Sequence, residues 1–346
     1  SPRATIIRTA DGGATWYLAA TTVTNTHLNA VAFASLSTGW AVGNNGVILH
    51  TTDGGSNWTQ QSSGVPYGYS LYGVAVRSAT EVIVVGEQGI LLRTTDGGDT
   101  WSPWSPIAAL RGVSFPSVGK GWAVGWDETI AQTTNGGQSW TAQLPGLAHV
   151  DLESVSFVDD SVGYAVGAGT TWSGVVLRTA NGGITWTQQS AKSAEEFYDV
   201  DAVDATHAWA SGLKYVYGTT NGVTFTWQYT STWYWYGVDF VNANTGWAVG
   251  ETSGGYGKIL GTTNGGASWS LQWSSTPLIG LKDVCMVDAQ NGWAVGEGAS
   301  PYPSLIRHTV DGGANWSNQS IVGLYKDLEG VACTSSTEAW AVGESA

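Results

Sequence analysis

Residues 28–61 read LNAVAFASLSTGWAVGNNGVILHTTDGGSNWTQQ, and this stretch decides the fold. Leu28–Phe33 alternates apolar and small or polar residues and reads as a strand. GWAVG at Gly39–Gly43 reads as a second, VILHT at Val47–Thr51 as a third, and WTQQ at Trp58–Gln61 as a fourth. Clusters of Ser, Thr, Asn and Gly separate them. No part shows helical periodicity. Four short antiparallel strands in about 43 residues make the unit of a β-propeller.

The unit repeats along the chain. Its box, T-x-[DN]-G-G-x-x-W, occurs in eight versions ending at Trp16, Trp58, Trp101, Trp140, Trp186, Trp227, Trp269 and Trp316. Successive tryptophans lie 42, 43, 39, 46, 41, 42 and 47 residues apart, a spacing that belongs to repeat architectures. The GWAVG phrase returns at 121–125, 246–250 and 292–296, with looser forms at 81–86, 163–167, 208–212 and 339–343. Its Trp and Val point to one face of the sheet. Its Ala and Gly leave room on the other for a neighbouring unit's Trp.

Residues 1–20 hold only the third and fourth strands of a unit, and residues 321–346 only the first and second. Pairing them closes a ring and removes exposed edges. The expected fold is therefore all-β, with residues 1–346 as a single β-propeller of eight four-stranded antiparallel blades. The 1–20 segment supplies the outer two strands of the closing blade and 321–346 the inner two. Seven blades is the alternative. Exchange of the half-blades between molecules would instead build a polymer, so monomer and self-assembling subunit both stay open.

Charge narrows the partners. The net charge is −14, and thirteen Lys and Arg are spread over 346 residues. That offers no phosphate-neutralising surface, so nucleic acid and anionic membranes are not expected. No apolar run reaches 18 residues, so no membrane insertion is expected. Ser, Thr, Asn and Gly richness with few Lys suggests a secreted or cell-surface protein. The two cysteines, Cys285 and Cys333, show no metal-ligand spacing, and the expectation is no metal and no cofactor. Aligned, they fall one position apart in first strands of neighbouring units, facing opposite sheet faces. Such faces can meet at one interface, which leaves a disulfide open, but two buried free thiols are expected.

The box position is Asp at Asp11, Asp53, Asp96 and Asp311 but Asn at Asn135, Asn181, Asn221 and Asn264. An amide keeps the acceptor oxygen of a turn and loses the charge that catalysis or metal binding needs, so these residues are structural. Boxes and GWAVG strands together resemble the BNR/Asp-box propellers of the photosystem II assembly and stability factor-like family over essentially the whole chain. That resemblance implies a non-enzymatic assembly factor binding a protein partner, in seven-bladed form. Asp-boxes also occur in sialidases and xyloglucanases. The arginine triad of the former and the second propeller of the latter are missing from the pattern, and no glycosidase carboxylate pair stands out. No enzyme is expected.

Function should lie where the repeats differ. After the core position of each first strand, Leu in six units and Phe197 or Trp235 in two, comes a variable residue: Asn29, Tyr72, Arg111, Glu153, Tyr198, Tyr236, Lys282 and Glu329. First strands line the central channel, so these should ring its mouth, with Arg111–Glu153 and Lys282–Glu329 as ion pairs between neighbours. Trp126 and Trp172 are placed in loops between second and third strands, and Trp104, Trp233 and Trp273 in loops between blades, all on the face opposite the boxes. Tyr67, Tyr69, Tyr234, Tyr256 and Tyr302 add to that face. The expected partner site is Tyr72, Arg111, Glu153, Tyr198, Tyr236, Lys282, Glu329, Trp126, Trp172 and Trp233. A protein is the expected partner and a glycan the second candidate. Glu87, Glu251, Glu297 and Glu344, each just after a second strand, are read as turn residues.

Overall fold

The computed structural model describes residues 4–21, 23, 26–104, 108–143, 145–146, 149–169, 173–191, 195–276, 279–298, 301–319, 321 and 324–344. Within them the first complete unit has strands Leu28–Phe33, Gly39–Gly43, Ile48–Thr51 and Asn57–Gln61, as its alternation requires. Numbering from this one, units 1 to 4 span 28–61, 71–104, 110–143 and 150–188. Units 5 to 7 span 197–230, 234–274 and 281–318. Unit 8 joins the chain ends: Leu328–Ser335 and Glu338–Gly343 pair with Thr5–Thr9 and Tyr17–Leu18.

The strands form seven hydrogen-bonded sheets, all but two of them four-stranded. One sheet is double. Its 17-residue strand Thr224–Phe240 pairs through its first half with the third strand of unit 5 and through its second half with Gly246–Thr252 of unit 6. The count is thus seven by sheets and eight by repeat units. Each first strand lies beside those of the units before and after it, and unit 8 lies beside unit 1, closing the ring. The double sheet has a local cause. Tyr229–Tyr236 reads YTSTWYWY, aromatic and β-branched residues save for Ser231 and without Gly, Pro or Asn, so no turn interrupts the strand. Trp233 accordingly lies inside a strand rather than in a loop, as does Trp273 in Ser270–Ser274, and Trp104 ends Ser102–Trp104.

Second-strand tryptophans fill the seams between units. Trp40, Trp122, Trp209, Trp247, Trp293 and Trp340 are almost wholly buried. Trp122 stacks on Phe157 of the next unit at 3.6 Å, Trp209 on Phe240 at 3.5 Å, and Trp340 on Phe33 at 3.6 Å. Each such burial contributes about 4–6 kcal/mol as an upper bound.

The boxes are turns in which side chains replace missing backbone partners. Thr51 Oγ accepts the Gly55 N–H at 2.9 Å, and Asp53 Oδ1 accepts the Asn57 N–H at 3.0 Å. Asn135 does the same through Oδ1, accepting the Ser139 N–H at 3.0 Å. The Oδ1 acceptor is common to both residue types, which explains the Asp/Asn alternation. The second box glycine has a further role. At Gly313, φ is +87° and an added Cβ would lie 1.9 Å from Gln272 Oε1 of the preceding unit. That glutamine donates to the Gly312 carbonyl at 3.2 Å and accepts from Trp316 Nε1 at 3.1 Å, so the glycine's bareness lets two units lock.

Cys285 and Cys333 are joined in a disulfide between the first strands of units 7 and 8. The expectation of free thiols is corrected, and the reason is the seam geometry. At the position of Cys285, other units place a side chain that takes the N–H of the next unit's strand. Ser114 Oγ accepts the Phe157 N–H at 3.2 Å, Ser156 Oγ that of Ala202 at 3.2 Å, Asp201 that of Phe240 at 2.8 Å, and Asp239 that of Met286 at 2.6 Å. The side chain already points at the neighbouring strand, and in Cys333 it meets a second sulfur.

Candidate partner-binding site at the channel mouth

The variable position of every first strand is a β-bulge. The pairing register skips Asn29, Tyr72, Arg111, Glu153, Tyr198, Tyr236, Lys282 and Glu329, each between a paired Leu, Phe or Trp and a paired small or acidic residue. A bulge frees its residue from the two-face alternation and re-aims its side chain. Variation is tolerated here because no ladder bond or core contact depends on the side chain.

A second regularity lies in the partners of five of the eight bulged residues. Each comes from the same unit, 15 residues on, at or just past the end of the second strand. Asn29 Nδ2 donates to Asn44 Oδ1 at 3.0 Å. Tyr72 and Tyr236 donate their hydroxyls to Glu87 and Glu251 at 2.9 and 2.8 Å. Lys282 pairs with Glu297 at 2.9 Å, not with the expected Glu329. Arg111 stacks on Trp126 at 4.4 Å, with Tyr72 on its other side at 4.1 Å. Its neighbour Glu153 lies 3.7 Å from Arg111 Nε and accepts from Trp126 Nε1 at 3.2 Å, so that expected pair is formed. Glu87 and Glu297 also take the N–H groups of Ser70 and Gly280, at 2.7 and 3.0 Å. Their turn role is real, and they are members of the mouth as well. Their regular distance from the bulged residues was the signal that could have found them.

The mouth is electrostatically tight. Burial, then the bond to Glu251, pushes the Tyr236 hydroxyl well above its ordinary range. Tyr198 is raised likewise by burial and by Glu196. Burial would raise the Glu297 carboxyl, but the Gly280 N–H and Lys282 hold it below its usual value. Glu329 is raised by burial despite Lys282, with Asp327, Glu344 and Glu297 adding to the shift. Trp233 stands apart from this ring and carries Lys258 at 5.2 Å. Trp172 lies outside the described residues.

Below the mouth the channel wall of units 5 to 7 holds Asp199, Asp201, Asp239 and Asp283. Each accepts a backbone N–H from the next unit: those of Val238, Phe240, Met286 and Val331, at 2.6–3.1 Å. Protein crowds them on every side although they line a channel. Burial raises Asp201, Asp239 and Asp283 to about 7, with neighbouring carboxylates contributing, and raises Asp199 in the same direction. Among the described residues no group of His, Cys, Asp and Glu is arranged to hold a metal ion, and no helix is long and apolar enough to cross a membrane.

With this geometry in place, the chain can be set beside known proteins. The family model described as photosynthesis system II assembly factor YCF48 matches residues 1–64 and 14–112. The chain resembles the YCF48 family. YCF48 from Cyanidioschyzon merolae superposes with a TM-score of 0.58 at 19% identity, over 92% of this chain and 96% of that one. A structure of YCF48 bound to D1 peptide gives 0.56 at 18% identity, over 93% and 90%. An ancestral GH74 enzyme gives 0.54 at 14% identity, over 96% of this chain and 63% of that one. At these identities the superpositions establish the shared propeller fold. No curated protein matches the sequence. The expected secreted or cell-surface location is overturned, because the matched family is that of photosystem II assembly factors. The compositional signal behind that expectation has another source: Ser, Thr, Asn and Gly are the turn residues of the boxes, needed wherever such a propeller works.

Proposed function

We propose that this propeller is a non-catalytic binding protein that holds a protein partner at the channel mouth, through Tyr72, Arg111, Glu153, Tyr198, Tyr236, Lys282, Glu329 and the adjoining Trp126. The observation that carries this reading is the ring of bulges: a closed scaffold presents one variable side chain from every unit at a single opening. The likeness to a YCF48 structure with a bound peptide supports a peptide segment as the bound element. A binding role also fits the state of the carboxylates, since Glu87, Glu153, Glu251 and Glu297 are tied to Tyr, Trp, Arg or Lys partners within the mouth. A sugar-stacking role fits less well, because Trp126 and Trp233 already carry Arg111 and Lys258 on their rings.

Titration of D1 peptide onto the wild-type chain and the Tyr72→Ala/Tyr236→Ala double variant tests the reading. Binding by the wild type and at least a tenfold loss in the variant, with an unchanged circular dichroism spectrum, is the expected result. Equal affinities would remove the mouth as the binding site.

A further inference from the structure

The mouth pairs are complete in units 1, 2, 3, 6 and 7 and incomplete in units 4, 5 and 8. Asn29, Tyr72, Arg111, Tyr236 and Lys282 each meet a complementary residue 15 positions on. Tyr198 meets Leu213, which offers its hydroxyl nothing, and no cation among the described residues stacks on its ring. Glu329 meets Glu344, a like charge. These two positions bound an arc running through units 5 to 8.

The chain's own residues show what this mouth holds well. Arg111 sits between two aromatic rings with a carboxylate beside it, and Lys282 lies 4.5 Å from the Tyr236 ring centre against Glu297. Such aromatic-plus-carboxylate pockets favour ammonium and guanidinium groups. At its two ends the arc repeats the ingredients without such a cation, for Lys282 sits at its centre on Tyr236 and Lys214 is held by Glu195. Tyr198 is hydrogen-bonded to Glu196, and its ring lies 5.5 Å from that of Tyr236. At the far end Glu329 keeps part of its surface open to solvent although its carboxyl is crowded by neighbouring charged groups, and His27 Nδ1 lies 3.9 Å from Glu344. Lys326 forms no ion pair with this group among the described residues. The carboxylates Glu196, Glu251, Glu297, Glu329 and Glu344 outnumber the one stacked cation, Lys282, in a chain of net charge −14.

Resting on the partner-binding reading, we propose that the arc between Tyr198 and Glu329 receives a lysine- or arginine-bearing peptide segment of the partner, one cation lying on Tyr198 against Glu196 and a second between Glu329 and Glu344. The long aliphatic stem of such a side chain covers the tyrosine faces while its head meets the carboxylates. The resident Arg111 and Lys282 fix the height at which the incoming heads sit.

Calorimetric titration with end-blocked hexalysine and hexaglutamate tests this. Hexalysine should bind, more weakly as salt rises, and hexaglutamate should not. Tyr198→Ala and Glu329→Gln should each weaken hexalysine about five- to tenfold, with Tyr198→Phe retaining the affinity, since it keeps the ring. Asp99→Asn, an equal charge change in a box turn on the opposite face, should leave it unaltered. Absence of hexalysine binding overturns the proposal, as does an equal effect of Asp99→Asn, which would mean attraction to overall charge alone. D1 peptide binding without hexalysine binding would refute the basic-segment assignment and leave the partner reading standing. Hexalysine binding at the arc without D1 peptide binding would do the reverse for that choice of peptide.

Discussion

Raising the pH from 5 to 7.5 should weaken this fold, and the cause is the channel wall. Asp201, Asp239 and Asp283 have folded pKa values raised to about 7 from an ordinary 3.8, burial being the main cause. Between those values the folded chain holds protons that the unfolded chain has released. Their stabilising contribution is therefore full below the unfolded value and is lost as pH climbs to about 7. From pH 5 upward each carboxyl loses about 3 kcal/mol, so the three together set a ceiling of about 8 kcal/mol. His50 and His308 act the other way, because burial lowers their pKa below 6.5 and charging is costlier in the fold. Their contribution therefore grows as pH rises toward and past 6.5 and partly offsets the loss in that range. The boxes contribute elsewhere: Asp11, Asp53, Asp96 and Asp311 are held low, so their contribution is lost only as pH falls below the ordinary carboxylate range.

The cleanest window is thus pH 6.5 to 7.5, where the histidine contribution fades and carboxyl titration dominates the slope. Urea unfolding at intervals of half a pH unit from 5 to 8 gives the curve. Asp239→Asn keeps an oxygen for the Met286 N–H and removes one titrating group, so it should flatten the curve by about 3 kcal/mol. Wild-type stability that is level or rising between pH 6.5 and 7.5 would refute the reasoning. So would an Asp239→Asn curve parallel to the wild type.

Three further outcomes follow from the seams and turns. Gly313→Ala should cost about 2–4 kcal/mol, because a Cβ at φ +87° would strike Gln272 and strain the backbone together; thermal unfolding reads it. Reduction of Cys285–Cys333, or Cys285→Ser, should cost about 4 kcal/mol for the 48-residue separation, seen as a lower urea midpoint that the reductant does not shift further in the variant. Asn135→Asp should be nearly neutral at neutral pH and Asn135→Ala should cost about 1–2 kcal/mol, since Asp keeps the Oδ1 acceptor and Ala does not.

The fold was legible because the box and the GWAVG phrase are written almost letter for letter into each unit, and both are core or turn chemistry with few alternatives. Aligning the units also exposes the variable position that follows each first-strand Leu, Phe or Trp. What alternation could not show is that this position is bulged. A bulge changes no residue type, only the register, and it turns the side chain out of the two-face pattern that the reading assumed. The same blind spot misassigned Lys282, whose partner Glu297 lies within its own unit rather than on the neighbour. Trp233 was placed in a loop because units 5 and 6 were assumed to be separated by a turn. An uninterrupted aromatic run makes one strand serve both. The cysteines were read one strand at a time, while their bond belongs to the seam between two.

That seam ties stability to the mouth. Unit 8 alone is built from two distant parts of the chain, so its two halves must find each other across the whole sequence, a costly closure. The disulfide stands where four other seams use Ser or Asp to hold the next strand's N–H, and it binds the C-terminal half of unit 8 to unit 7 independently of its pairing with Thr5–Thr9. Lys282 lies three residues before Cys285 and Glu329 four before Cys333, on the two strands so joined. The bond therefore fixes the spacing between the last stacked cation of the ring and the acidic end of the arc. If the arc takes a basic segment, reduction should weaken hexalysine binding even where the ring stays folded, because the two charges that frame the second subsite are no longer held in one register. Affinity unchanged by reduction, at a temperature where circular dichroism shows the fold intact, would separate the two roles and leave the disulfide a device of closure only.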